Sequence, residues 1–370
     1  MSKLGAEISL GLIGVLCFWL GIFKVAEQAG LIKVLARLLG PLFASLMPQV
    51  PRNHPALGSV TMNLGANMLG LDNAATPMGL KAMADLQEIN PQKDTASNAQ
   101  ILFLVLNTSS VTLLPVTIFL YRAQQGAADP AAVFLPILLA TITSTLVGLL
   151  AVSWIQKLNI FNRIVLLYAS VFVLLISLLV FFLAGMPNTR LAAVSSQLGN
   201  FFLLSIIMLF LLYGYAKRVD VYAAFIEGAS EGFGVAIKLI PYLVAMLVAI
   251  GLFRSSGMLE LVIGVITKLA SWAGLNTDFV AALPTALMKP LSGSGARAMM
   301  LETMSTYGVD SFPALVAATV QGSTETTFYV LAVYFGSVGI RKVRHAIACG
   351  LLADAAGIVA AIMVSYWFFY

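Results

Sequence analysis

The sequence predicts an all-α polytopic membrane protein made of two inverted-topology repeats, with re-entrant hairpins and discontinuous helices. Three observations predict it. Apolar residues make up 60% of the chain and charged residues only 10%, against roughly 25% charge in ordinary globular domains, and mean hydropathy is +0.94. Apolar runs of about 20 residues recur along all 370 residues and leave little room for a soluble domain. Two apolar stretches are each interrupted midway, and they match one another.

Taken in order, spans are expected at 7–29, 100–121, 131–155, 163–185, 197–216, 238–256, 313–334 and 346–369, about eight full crossings. The opening run lacks a small-residue cleavage signal after its apolar core and reads as a retained helix. Residues 57–83 and 279–304 carry Gly, Pro and polar residues at their centres. Lipid would leave the freed backbone groups without partners there, so these stretches read as re-entrant hairpins buried in protein. The repeat is visible as "GIFKVAEQAGLIKVLARLL" over "GLFRSSGMLELVIGVITKL", then "NMLGLDNAATPMGLKAM" over "MKPLSGSGARAMMLETM". A polar knot follows in each half, "NTSSVT" from Asn107 and "QGSTET" from Gln321, and one more span closes it. Residues 1–160 form the first repeat, 161–220 connecting helices and 221–370 the second.

Charge orients the halves. Lys33, Arg37, Arg52, Lys157, Arg163, Lys217, Arg218 and the "RKVRH" cluster all fall in the cytoplasm when both termini lie outside. The first hairpin then enters from the cytoplasm and the second from outside, while Lys3, Arg254 and Lys268 fall on the disfavoured side. Inverted repeats with discontinuous helices point to a secondary transporter with its site near the midplane. The net charge of +5 is ordinary for such a protein, and no nucleic-acid signature accompanies it.

Candidate site residues follow from this frame. In "KPLSGSGARAMM", Pro290 ends a half-helix, Gly293 and Gly295 allow a tight turn, and Ser292 or Ser294 can cap the next half-helix. Free N–H groups there, with Lys289 and Arg297, make an anion site. In the first hairpin Asn67, Asp72, Asn73 and Thr76 take the matching places. Asp72 either holds a cation, pairs with Arg297, or caps the local helix. Glu325 lies within a predicted span, where a carboxylate costs about 2.5–3.5 kcal/mol and needs a basic partner, a proton or a cation. Gln321, Ser323, Thr324 and Thr326, with Asn107, Thr108, Ser109, Ser110 and Thr112, form a polar lining around it. Asp354 in the last span is a second relay group or the partner of a base. Glu325, Asp72 and Asp354 are thus the ion-coupling candidates. Lys24 and Glu27 read as snorkelling, and Glu227 and Glu231 as interfacial. Cys17 and Cys349 read as buried small hydrophobes. No HExxH, GxSxG or metal-ligand spacing occurs, so no enzyme activity, catalytic residue, metal or cofactor is expected.

"NMLGLDNAATPMGLKAM" resembles the spore maturation protein A family. "KPLSGSGARAMM…YGVDSFPALVAATVQGSTETTFYVLAVYFGSVGIRKVRHA" resembles the spore maturation protein B family. The chain looks like a fusion of the two over nearly all its length. Both families belong to the Gate, or nucleoside-recognition, group, which is similar to parts of concentrative nucleoside transporters and of ferrous iron transporter B. The resemblance implies a transporter-like protein of the bacterial inner membrane, for which a homo-oligomer is plausible. Nucleoside transporters of that type carry a glutamine-threonine-glutamate element in the first hairpin. Here the hairpins read "LGLDNAAT" and "PLSGSGAR", and the basic second one suggests an anionic group on the ligand.

Two functions from different classes remain open. One is a transporter of a small polar or anionic solute, coupled to protons or sodium, with a lipid-headgroup carrier or scramblase as its variant. The other is a non-transporting protein that recognises a ligand or partner in envelope or spore maturation. The first requires hairpins and knots to converge on one cavity, and the second predicts that they pack shut.

Overall fold

The computed structural model of the chain describes residues 2–69, 72–109, 111–272, 274 and 276–370, and among them are sixteen α-helices and no strand. Helix α1 (Ser2–Gln28) meets α2 (Leu31–Leu46) at Gly30, whose φ of 82° suits glycine, and the pair bends by 65°. Helices α3 (Pro55–Met68) and α4 (Asp72–Glu88) fold back on one another as the first hairpin. Then come α5 (Asn98–Thr108), opened by a Ser97–Gln100 capping box, α6 (Val116–Gln124), and α7 (Phe134–Gln156) behind a 3-10 turn at Pro130–Val133. Helices α8 (Arg163–Ala184), capped by Asn162, and α9 (Asn188–Ala216) lead to the second half.

That half repeats the order. Helix α10 (Val221–Ser255) meets α11 (Met258–Trp272) at Gly257, with φ 74°. Helices α12 (Leu283–Met288) and α13 (Gly293–Tyr307) make the second hairpin, α14 (Phe312–Ser323) and α15 (Thr327–Ser337) a broken pair, and α16 (Ala346–Phe369) the closing helix.

Two expectations need correction. Residues 100–121 and 313–334 are not continuous spans. The first breaks after Thr108, on the approach to Pro115, which has no N–H to continue a helix. The second breaks between Ser323 and Thr327, where β-branched Thr324 (φ −158°, ψ 171°) and Thr326 adopt extended backbone. Among the described residues, four segments are long and apolar enough to cross a membrane by themselves, Pro130–Gln156, Arg163–Ala184, Arg190–Ala216 and Ala346–Phe369, and the bent α1–α2 pair would make a fifth. The crossing expected at 197–216 therefore starts earlier, and those expected at 7–29 and 238–256 lie, but for their last residue, inside the longer α1 and α10.

Two corresponding helix pairs, α1 with α10 and α7 with α16, make the most extensive contacts between the halves. Helices α1 and α10 approach so closely that a Cβ on Gly228 would lie 2.3 Å from the Leu20 carbonyl oxygen, and one on Gly232 2.7 Å from that of Leu16. Small residues four apart allow such backbone approach between membrane helices. Helices α7 and α16 cross the same way, with Gly148 against Ala353 and Gly357 against Ser144. Helix α8 stands apart. Only 6% of its apolar window is buried, Phe181 is 80% exposed, and the helix packs on α2, where the Tyr168 hydroxyl donates to the Leu38 carbonyl.

The connecting loops also pair reciprocally. Arg122, 1% exposed at the end of α6, donates to the carbonyls of Pro130, Asp129 and Val309 and to Asp310 Oδ1 at 3.0–3.2 Å. It thereby joins the α6–α7 loop to the α13–α14 loop. On the equivalent pair, the N–H groups of Arg341 and Lys342 donate to the Asp94 carbonyl, and that of Ala96 to the Lys342 carbonyl. Thr95's hydroxyl and Lys342 hold the Asp94 carboxyl below its usual range. His345 contacts the Gln156 amide through Nε2 at 3.0 Å, and burial with Arg344 nearby keeps its imidazole below the usual histidine value.

Gly228→Leu is expected to cost on the order of 2 kcal/mol through the forced separation of α1 from α10. Gly234→Leu, on the same helix with nothing within 4 Å of its Cβ position, should leave the thermal midpoint in detergent unchanged. Equal midpoints for the two variants would refute the close helix crossing.

Candidate functional site

The first hairpin and the first knot are tied by amides. Asn67 Nδ2 donates to Asn107 Oδ1 at 2.8 Å, Asn107 Nδ2 to the Phe103 carbonyl at 2.9 Å, and the Leu113 N–H to the Met68 carbonyl at 3.2 Å. Asn63, fully buried, holds the hairpin closed by donating to the Ala75 carbonyl at 2.7 Å. A Cβ on Gly79 would meet the Tyr334 hydroxyl at 2.2 Å, so that glycine admits the second half's tyrosine against the first hairpin.

The second hairpin is built in the corresponding way. Ser292 caps α13, accepting from the Gly295 N–H at 3.1 Å, and Ser294 Oγ lies 3.2 Å from it. A Cβ on Gly293 would lie 2.8 Å from Thr326 Oγ1, so the hairpin tip rests on the second knot. The Phe328 N–H donates to the Pro290 carbonyl at 3.0 Å, the counterpart of Leu113 to Met68. The two knots then meet directly. The Glu325 N–H donates to the Thr108 carbonyl at 2.7 Å, and Thr324 Oγ1 to the same oxygen at 2.8 Å.

These four elements enclose a cavity of about 680 Å³, within the range of small-molecule sites. Asn67, Thr76, Asn107 and Thr112 line it from the first half, and Lys289, Arg297, Gln321, Thr324 and Glu325 from the second. Arg297 lies 5.5 Å from the centre of the Tyr121 ring, and Lys289 is only 3% exposed. Glu325 opens onto the cavity from the break between α14 and α15, rather than sitting in a continuous span. Among the described residues no ion pair engages it. Gln321 is 7% exposed, and its Oε1 is buried without a hydrogen-bond partner.

Other expected lining groups point elsewhere. Thr108 and Ser109 donate to the Val105 carbonyl and Ser323 to that of Val320, so their hydroxyls serve their own helices. Ser292, Ser294 and Thr326 shape the hairpin tip from behind. Asp354 is 1% exposed and lies beneath the wall, accepting from Thr327 Oγ1 at 2.7 Å and in hydrogen-bond contact with Thr324 Oγ1. The side chains of Asp72 and Asn73, and Ser110 altogether, lie outside the described residues.

Sequence reasoning missed one group. Lys24 Nζ lies 2.9 Å from Glu231, 3.1 Å from Glu227 and 3.7 Å from Glu27, with Gln28 donating to Glu227 at 2.8 Å. Lys24, Glu27 and Glu231 line the cavity instead of snorkelling. The available signal was the interleaving of Glu227 and Glu231 with Gly228 and Gly232. Each carboxylate stands one residue, about 100° of helix turn, from a contact glycine, which places it at the edge of the α1 contact.

A helical membrane protein with half-helices meeting around a central polar cavity is the class that this architecture defines. The model of the Gate family, described as nucleoside recognition, matches residues 9–124 and 236–341, more than half of the chain, and the chain belongs to that family. It is 47% identical over 154 residues to spore maturation protein B of Bacillus subtilis (strain 168), covering 42% of this chain and 85% of that protein. It is 43% identical over 143 residues to spore maturation protein A of the same organism, covering 39% of this chain and 73% of that protein. These matches agree with a fusion of the two. No solved structure matches the chain.

The cavity geometry predicts a labelling pattern. In a background lacking Cys17 and Cys349, Thr76→Cys, Gln321→Cys and Glu325→Cys should react with a small charged thiol reagent, and Ser109→Cys and Ser323→Cys should not. Labelling of the second pair at the rate of the first would refute the assigned wall.

Proposed function

We propose that this protein is a secondary transporter of the bacterial inner membrane, moving a small polar or anionic solute through the cavity between its two halves and coupled to protons or sodium. The observation that carries the reading is the convergence of both hairpins and both broken helix pairs on one cavity. Discontinuous helices are a costly way to build an inert bundle, since every break exposes backbone groups in an apolar medium. They are useful where half-helix ends must face a ligand.

The loop pairing supports inverted halves. The α4–α5 loop meets the α15–α16 loop, and the α13–α14 loop meets the α6–α7 loop. If α5 and α6 together cross the bilayer, the equivalent α4–α5 and α13–α14 loops lie on opposite sides. Arg341, Lys342, Arg344 and Lys157 gather on one of those sides, while Asp129 and Asp310 mark the other. The bias favours a cytoplasmic first side and outward termini. The cavity holds Lys289 and Arg297 beside the start of α13, an arrangement suited to an anionic group. The reading assigns no bond-making step to any residue. Spore maturation, in the names of the relatives, suggests where such a solute would be used.

The test is a thermal-shift screen of purified protein against nucleosides, nucleotides, dicarboxylates and headgroup analogues, at two pH values and with or without sodium, followed by uptake into proteoliposomes. A solute at a hundred times its Kd should stabilise the fold by about 2.7 kcal/mol, and Glu325→Gln and Arg297→Ala should each abolish the shift. Well-folded protein that no solute or ion stabilises would favour the partner-recognition alternative.

A further inference from the structure

Behind the cavity wall, Asp354 presents a problem in counting protons. Three close oxygen contacts meet there: Thr327 Oγ1 with Asp354 Oδ2 at 2.7 Å, Thr324 Oγ1 with Asp354 Oδ1, and Thr324 Oγ1 with the Thr108 carbonyl at 2.8 Å. A fourth, longer approach of 3.3 Å runs from Thr324 Oγ1 to the Glu325 carbonyl. A threonine hydroxyl has one hydrogen to donate, while carboxylate and carbonyl oxygens have none. Two hydroxyls therefore bring two protons to three close contacts.

With Asp354 ionised, one of these contacts presses two acceptor oxygens together with nothing between them. The low dielectric of a buried site makes such a mismatch costly. A proton on Asp354 completes the count. Asp354 Oδ1 then donates to Thr324 Oγ1, Thr324 donates to the Thr108 carbonyl, and Thr327 donates to Oδ2. A bound cation fits less well, because it gathers six or more oxygens about one point, whereas these contacts run as a chain from Thr327 through Asp354 and Thr324 to Thr108.

The surroundings are otherwise neutral. Thr324 and Thr327 contact the carboxyl, the Thr108 carbonyl lies behind Thr324, and on α7 Ser144 Oγ donates to the Ala353 carbonyl at 2.9 Å. The charged groups that act on Asp354 are Lys289 beside the second hairpin and Glu325 at the helix break. On its own helix the titratable neighbour is buried Cys349.

We propose that Asp354 carries a proton in this conformation and that releasing it unlocks the joint between the two broken helix pairs. Release leaves a carboxylate, with the proton passing to cavity water beside Thr324, which lines the wall. The Thr324 hydroxyl must then choose between a carboxylate and a carbonyl, and the charge-assisted bond is the stronger. Its bond to Thr108 is given up, and that bond stands next to Glu325. If the transporter reading holds, this proton is the coupling ion.

Infrared spectroscopy of the full chain in nanodiscs tests the proposal without any solute. At neutral pH the wild type and Glu325→Gln should show the carbonyl stretch of a protonated carboxylic acid, and Asp354→Asn should lack it. Thr324→Val keeps the acid but removes its acceptor, so there the band should move rather than vanish. Asparagine can donate to Thr324 and accept from Thr327, so Asp354→Asn should fold with a near-wild-type thermal midpoint. The wild-type midpoint should fall as pH rises through deprotonation, and the variant's should not. A protonated-acid band unchanged in Asp354→Asn would overturn the proposal. So would an Asp354-dependent stabilisation by sodium chloride over choline chloride. Both readouts are independent of the solute screen, so either reading can fail alone.

Discussion

The structure depends on one constraint, that a helix broken inside an apolar surround must find partners for the backbone groups that it frees. Each such group left unsatisfied in hydrocarbon costs several kcal/mol. Here each break is closed by another. Met68 at the end of α3 accepts from Leu113 of the first knot, Pro290 of the second hairpin accepts from Phe328, and Thr108 accepts from Glu325 across the halves. No half-helix could shift alone without leaving a neighbour's carbonyl bare. The cavity sits where it does because that is where four breaks can satisfy one another.

Side chains then set the distance between the halves. Gly228 and Gly232 let α1 and α10 touch at the backbone, and Gly148 and Gly357 admit the small side chains of Ala353 and Ser144 between α7 and α16. Arg122, with its donors on three carbonyls and one carboxylate, uses a planar fork that lysine could not replace. The Lys24 cluster lies at the α1–α10 contact and reaches the cavity wall. A charge network there is tolerable because water can reach it.

Much of this was legible in the sequence. Hydropathy located the long helices, and the interrupted stretches with Pro290 and the paired glycines announced the second hairpin. The order of matched motifs announced the repeat. The breaks at Thr108 and Ser323 were not legible, because Ser and Thr in a membrane helix usually bond back to the preceding turn, as Ser109 and Ser323 do here. Which hydroxyls turn inward and which face the cavity depends on partners more than 200 residues away, such as Thr324 on Thr108. The Lys24 cluster was hidden for a similar reason. Its members look interfacial one helix at a time, and only the α1–α10 crossing brings them together.

Helix α8 contributes little to the bundle, yet with α9 it joins the halves through a continuous chain. Spore maturation proteins A and B are separate proteins, each matching about two fifths of this chain. If those two proteins assembled with one another, contacts such as Glu325 with Thr108 would form between molecules and depend on how much of each is made. A covalent tether replaces that concentration by a fixed local one, set by the length of the connection. It also enforces equal numbers of the two halves. The sparsely packed segment thus matters for the connection it makes more than for the contacts it forms.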